Sequence, residues 1–159
     1  MKIIAFTGLA QSGKTTAANY IQGAKILSFA DPVKQIVLTA FNWDGVKDEK
    51  GRRLLQVIGT ECARAYDYDI WVKKMRELLK KESPLHDILA IDDCRFDNEA
   101  QLVRELGGIV IEINRPGCAP DGHASEQGVS QNLIDKHILN NGTLAQLKEA
   151  VLDIIAEFV

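Results

Sequence analysis

The chain lacks a disulfide framework. Its three cysteines, Cys62, Cys94 and Cys118, are odd in number and widely spaced, which suits reduced thiols in a cytosolic protein rather than paired bridges. A zinc-ligand spacing is missing too, because Cys118 and His123 have no second ligand pair to complete a structural site. Positive charge is not in excess: 19 Lys and Arg against 22 Asp and Glu give a net charge of −3. A broad basic surface for nucleic acid therefore has little support. No apolar run approaches the ~18–20 residues that span a bilayer. The sequence opens on one lysine and an apolar stretch, with no secretory cleavage pattern. Internal repeats and low-complexity tracts are also lacking. What is left is an ordinary globular composition, 46% hydrophobic and 26% charged, in a length that fits one domain with a sizeable core.

The most informative residues are Gly8-Leu9-Ala10-Gln11-Ser12-Gly13-Lys14-Thr15, which match G-x-x-x-x-G-K-[ST] in full. The apolar run Lys2–Thr7 before them reads as a buried strand, and the segment Thr15–Ile21 reads as the first turns of a helix. Strand, glycine loop and helix form the context that a phosphate-binding loop requires. Gly8, Gln11, Ser12, Gly13 and Thr16 are expected to shape the cradle, with backbone N–H groups facing the anion. Lys14 is expected to reach the β- and γ-phosphates, and Thr15 to hold Mg²⁺ through its hydroxyl.

Further strands are expected at residues 25–29, 87–92, 109–113 and 136–139. Helices are expected from Pro32, with Asp31 as N-cap and Val33, Ile36, Val37 and Ala40 buried, then over 52–66, 69–81 and 96–106, and finally from Thr143 onward. Residues 46–51 read as a charged loop. In the helix over 52–66, one apolar stripe holds Leu54, Ile58, Cys62 and Ala65. A polar stripe holds Arg53, Gln56, Thr60 and Arg64, and it suits either a phosphorylated ligand or plain solvation. Alternating strands and helices imply an α/β fold with a parallel sheet covered on both faces, and ligands at the carboxyl ends of its strands.

Asp92 and Asp93 end an apolar strand, and a carboxylate there is the usual second anchor for Mg²⁺ in a P-loop protein. Strand alternation sends the two to opposite sides, so only one faces the nucleotide. Arg95 lies just beyond, and Arg115 opens a Gly- and Pro-rich loop that suits a closing lid. No persuasive general base is present, since His86, His123 and His137 all have bland explanations. A phosphate acceptor needs none, because its second pKa of about 6 leaves it mostly anionic near neutrality.

Taken together, these motifs resemble the bacteriophage-type deoxynucleoside monophosphate kinases, a branch of the P-loop nucleotide kinases. The resemblance is carried by residues 29–34 (Phe29-Ala30-Asp31-Pro32-Val33-Lys34), by Leu54-Leu55-Gln56 with Gly59-Thr60-Glu61 and Trp71, and by Asp93-Cys94-Arg95-Phe96-Asp97-Asn98-Glu99-Ala100. It continues through Arg115, His123-Ala124-Ser125-Glu126 and Asn141-Gly142-Thr143-Leu144. The resemblance implies a single P-loop kinase domain over 1–159, a three-layer fold with a central parallel sheet, a helical monophosphate-binding region near 31–75, and a short lid near 115–128. It implies transfer of the ATP γ-phosphate to a dNMP with Mg²⁺ in a cytoplasmic protein, that of the host if phage-encoded. It gives Lys14, Arg95 and Arg115 to catalysis, and Thr15 and Asp93 to the metal. Asp31, Lys34, Gln56, Arg64, Trp71 and Arg95 fall on the monophosphate side. Family members often have an acidic residue where this chain has Thr15, and the lid has one arginine where longer kinases have several. Phosphomevalonate- or dephospho-coenzyme A-type kinases remain alternatives, as does a non-catalytic nucleotide switch, although the chain has no Asn-Lys-x-Asp segment. A homodimer is left open.

Overall fold

The computed structural model describes residues 1–119, 122–124 and 127–158. Five strands form one parallel sheet: β1 (Lys2–Thr7), β2 (Lys25–Leu27), β3 (Ile88–Ile91), β4 (Ile109–Asn114) and β5 (Lys136–Leu139), in the order β2-β3-β1-β4-β5. The switch in order falls at β1, whose neighbours are β3 and β4. The loops leaving β1 and β3 are thereby brought side by side at the carboxyl edge, where parallel sheets bind ligands.

Strand alternation divides the core. On one face Ile3, Ala5, Leu89, Ile91 and Val110 pack against α2 (Asp31–Phe41), α4 (Ile70–Glu82) and α5 (Asp97–Glu105). On the other face Ile4, Phe6, Ala90, Ile111 and Ile113 pack against α1 (Lys14–Asn19) and α6 (Leu144–Phe158). Both faces are covered, which is why the strands read as nearly continuous apolar runs. Among the described residues no helix is long and apolar enough to cross a membrane.

Several boundaries differ from the sequence expectation. The N-cap position of α2 is taken by Ala30, and Asp31 lies inside the first turn. Only Val33 and Val37 of that helix are buried, while Ile36 is exposed. The expected loop over 46–51 contains the start of α3 (Glu49–Gln56), where the Asp48 carboxylate caps by accepting from Gly51 N at 2.7 Å.

The expected single α-helix over 52–66 is instead α3 followed by a π-helical segment, Val57–Arg64. Bonding to i+5 widens each turn, so the 3.6-residue stripes do not persist. Cys62 and Ala65 are exposed and Arg64 is buried, reversing their expected sides.

Candidate active site

A cavity of about 540 Å³ opens at the carboxyl edge of the sheet. Among the described residues seven cationic side chains line it (Lys14, Lys34, Lys47, Arg52, Arg64, Arg95 and Arg115), against three carboxylates from Asp92, Asp93 and Glu99. A chain with a net charge of −3 thus gathers positive charge in one concave place, which draws anions inward.

One wall is the loop after β1. Gly8 has φ 131° and Gly13 φ 110°, values that side chains seldom adopt. A Cβ on Gly8 would meet Ile113 O at 2.3 Å. Gly8 and Ser12 do not themselves line the cavity. Gly8 shapes the loop from beneath, and the buried hydroxyls of Ser12 and Thr7 have no hydrogen-bond partner among the described residues. Gln11, Gly13, Lys14, Thr15 and Thr16 do line it. The Lys14 ammonium donates to Gly8 O at 2.8 Å and to Leu9 O at 2.6 Å, folded back across the loop.

The aspartates part as alternation requires, and it is Asp92, not Asp93, that faces Thr15. Asp92 accepts from Thr15 Oγ1 at 2.8 Å. Asp93, expected beside the metal, turns the other way and accepts from Ser28 Oγ at 2.6 Å, Phe29 N at 2.7 Å and Ala30 N at 2.9 Å. Burial raises its pKa and the Asp92 charge adds to that, opposed by those three donors. Asp93 therefore anchors the turn between β2 and α2. Thr15 with Asp92 is the pair whose donors are all oxygen, a set that fits a hard cation. Mg²⁺ commonly uses one or two such side chains together with phosphates and water.

The opposite wall comes from α2, α3, the π-helical segment and α4. Gln56, Thr60 and Arg64, each four residues apart, all line the cavity. Arg53, expected on the same face, lies outside and pairs with Glu61. Trp71 is buried; its indole N–H donates to Gly59 O at 2.7 Å while it forms part of the cavity wall. Lys34 reaches the cavity and pairs with Asp31 at 2.6 Å, but Asp31 is exposed and does not line it.

Arg64 is held on every side. Glu99 accepts from its Nη2, Tyr68 O accepts from its Nη1 at 3.0 Å, and its guanidinium lies 3.9 Å from the centre of the Phe96 ring. Glu99 also accepts from the backbone N–H of Arg95 at 2.7 Å. This one carboxylate thus orients Arg64 and fixes the turn that carries Arg95. Burial pushes the Glu99 pKa up to about 7, with the Arg64 charge pulling against it. Cys94, beneath, is buried, and its thiol is raised well above the ordinary range by that burial.

Arg115 leaves the end of β4 and donates to Gln11 O at 3.3 Å, against the loop and on the cavity wall. Within the expected lid, Pro120, Asp121, Ser125 and Glu126 lie outside the described residues. His123 approaches Glu61 of the π-helical segment at 3.7 Å, so this part of the expected lid lies against that segment. Lys47 and Glu99 went unassigned in the sequence. Lys47 sat in a presumed loop, and the pairing of Glu99 with Arg64 spans 35 residues.

Solved structures of similar shape give the fold. Shikimate kinase from Acinetobacter baumannii in complex with shikimate matches at a TM-score of 0.51 and 14% identity, over 99% of this chain and 94% of that one. TT1252 from Thermus thermophilus matches at 0.55 and 16%, over 99% and 98%. Among sequences, a deoxynucleotide monophosphate kinase homologue of Acanthamoeba polyphaga mimivirus is 31% identical over 98% of this chain and 96% of its own length. The deoxynucleotide monophosphate kinase of Enterobacteria phage T4 is 34% identical over 60% of this chain and 41% of its own. The deoxynucleoside-5'-monophosphate kinase of Escherichia phage T5 is 29% identical over 56% and 38%, so this chain spans less than half the length of these two phage relatives. The family model described as deoxynucleotide monophosphate kinase matches residues 46–151, a span that includes α3, the π-helical segment, α4, both aspartates and Arg115. The chain belongs to the deoxynucleotide monophosphate kinase family.

Proposed function

We propose that the protein transfers the γ-phosphoryl group of ATP to a deoxynucleoside monophosphate, giving dNDP and ADP. The observation that carries this reading is one cavity with two unlike walls. A glycine loop with Lys14, Thr15 and Asp92 faces Gln56, Arg64, Trp71 and Arg95. Two phosphorylated ligands can then meet end to end, as phosphoryl transfer requires.

In this reading Lys14 exchanges its two carbonyl partners for phosphate oxygens. Thr15 and Asp92 would hold Mg²⁺, which when bound neutralises charge on the β- and γ-phosphates. Arg95 and Arg64 orient the acceptor phosphate, with Arg64 locked in direction by Glu99 and Phe96. Gln56 offers an amide, and Trp71 an apolar surface, to the nucleoside. Arg115 sits over the loop, where charge spreads in the transition state. The acceptor oxygen is already anionic, so no side chain must take a proton. Viral relatives favour the cytoplasm of a host cell as the place of action.

A coupled assay of ADP release across the four common dNMPs and four NMPs tests the proposal. Turnover is expected only when a monophosphate acceptor is present, with dNMPs preferred. Turnover with phosphomevalonate or dephospho-coenzyme A, and none with any dNMP, would overturn it.

A further inference from the structure

Asn140 closes the last ladder of the sheet and touches the phosphate loop from outside. Its backbone N–H donates to Asn114 O at 2.8 Å, one rung past the Asn114–Leu139 pair of β4 and β5. Its side chain donates from Nδ2 to Ser12 O at 2.8 Å. Facing a carbonyl, the amide must present its nitrogen. A Cβ on Gly13 would come within 2.8 Å of that same nitrogen, so the amide nitrogen lies close against the loop. Asn140 does not line the cavity.

The geometry of one peptide gives this contact its consequence. In a trans peptide the carbonyl and the N–H that follows point in opposite directions. With Ser12 O held toward Asn140, the Gly13 N–H points away from Asn140, and Gly13 lines the cavity that Asn140 does not. Phosphate loops act by aiming such N–H groups at an anion. A donor already oriented costs no reorganisation when the anion arrives. Gly13, at φ 110°, has the freedom to let this peptide turn over. The Ser12 hydroxyl offers no restraint, being buried and without a hydrogen-bond partner among the described residues.

We infer that Asn140 is a positioning residue for the donor nucleotide. Its amide holds the Ser12–Gly13 peptide in the orientation that presents the Gly13 N–H to the triphosphate. The inference rests on the P-loop reading and adds to it a residue from the far end of β5. It makes Asn140 specific to the phosphates, indifferent to adenine and to the acceptor.

The test is calorimetric binding of ATP and of inorganic tripolyphosphate to the wild type, Asn140→Ala and Asn140→Asp, alongside the dNMP KM. Loss of one oriented hydrogen bond should weaken both ATP and tripolyphosphate by roughly tenfold in Asn140→Ala. Asn140→Asp, with an acceptor turned toward Ser12 O, should lose at least as much, and the dNMP KM should stay within about twofold of wild type. Binding of both polyphosphates within twofold of wild type in the two variants would overturn the inference. So would a loss confined to ATP, which would mark an adenine contact, or an equal rise in dNMP KM, which would mark general loosening. If the wild type bound neither ligand, the P-loop reading itself would fail, and that result is distinguishable because it involves no variant.

Discussion

Exchanging each of the two adjacent aspartates for asparagine should separate a metal site from a structural anchor. Asp93 accepts three hydrogen bonds, from Ser28 Oγ, Phe29 N and Ala30 N. An asparagine has one acceptor oxygen, so its NH₂ must face at least one of these donors. One charge-assisted bond is lost outright, at about 1.5–3 kcal/mol, and the others weaken with the charge. Relief of the burial that raises the Asp93 pKa offsets part of this. A net loss of about 2–3 kcal/mol follows, which for a chain of 159 residues lowers Tm by about 5–10 °C. Because Ser28, Phe29 and Ala30 line the cavity, the dNMP KM should rise as well.

Asp92→Asn should behave in the opposite way. Among the described residues its carboxylate is hydrogen-bonded to the Thr15 hydroxyl, which can pair with an amide as well as with a carboxylate. Stability should therefore change by no more than about 0.5 kcal/mol. Turnover at fixed Mg²⁺ should fall by about 10²-fold, with part of the loss recovered as Mg²⁺ is raised. Scanning calorimetry and Mg²⁺ titrations of the coupled assay read both effects. An Asp93→Asn protein with wild-type Tm and impaired Mg²⁺ response, beside an Asp92→Asn protein of normal activity, would refute the reasoning.

Arg115→Ala should lower kcat by about 10²-fold and leave ATP affinity, measured by calorimetry, little changed, because its resting bond to the loop, to Gln11 O, is long. Lys14→Ala should abolish transfer while the protein stays folded, since its ammonium bonds to two carbonyls of the loop itself rather than to the core; a folded variant with normal turnover would defeat the P-loop assignment. Arg64→Ala should cost about 3–5 kcal/mol of stability, because it leaves Glu99 buried without its counter-charge; an unchanged Tm would show the pair to be unimportant to the fold. Glu99 supplies a pH signature. Its folded pKa, about 7, lies above the ordinary 4.5, so between those values the native state binds the extra proton. Its contribution is complete below about pH 4.5 and is lost as pH rises through 7. Tm measured from pH 5 to 8 should fall less steeply for Glu99→Gln than for wild type, and equal slopes would rule out a raised pKa.

Local physics made much of this legible. The P-loop could be read because glycine spacing, an apolar strand and a helix start are neighbours in sequence, and the other strands because burial on both faces leaves continuous apolar runs. Alternation also told that Asp92 and Asp93 diverge. Which of them meets Thr15 depends on β3 lying between β1 and β2, a fact of strand order that no local window contains. The Asp48 cap carried a visible signal, an aspartate three residues before Gly51 and ahead of a helical stretch, but the charge density of residues 46–51 hid it.

The wall opposite the glycine loop was harder to read for a physical reason. Periodicity at 3.6 residues presumes α-helical winding, and Val57–Arg64 winds as a π-helix. Gln56, Thr60 and Arg64 keep their common face at a spacing of four, whereas Arg53 turns outward to Glu61. The wider winding is bound to tertiary contacts: Trp71 receives the Gly59 carbonyl at its indole N–H, and Arg64 ends the segment in a pocket made by Tyr68, Phe96, Asn98 and Glu99. Removing the indole donor while keeping an aromatic wall isolates that coupling. Trp71→Phe should cost about 1–2 kcal/mol through the lost hydrogen bond. If the Gly59 anchor holds the wall in register, the dNMP KM should rise while ATP affinity stays as in wild type. A dNMP KM that does not move would mean that the π-helical segment keeps its winding without Trp71, and that Arg64 with Glu99 is enough to hold it.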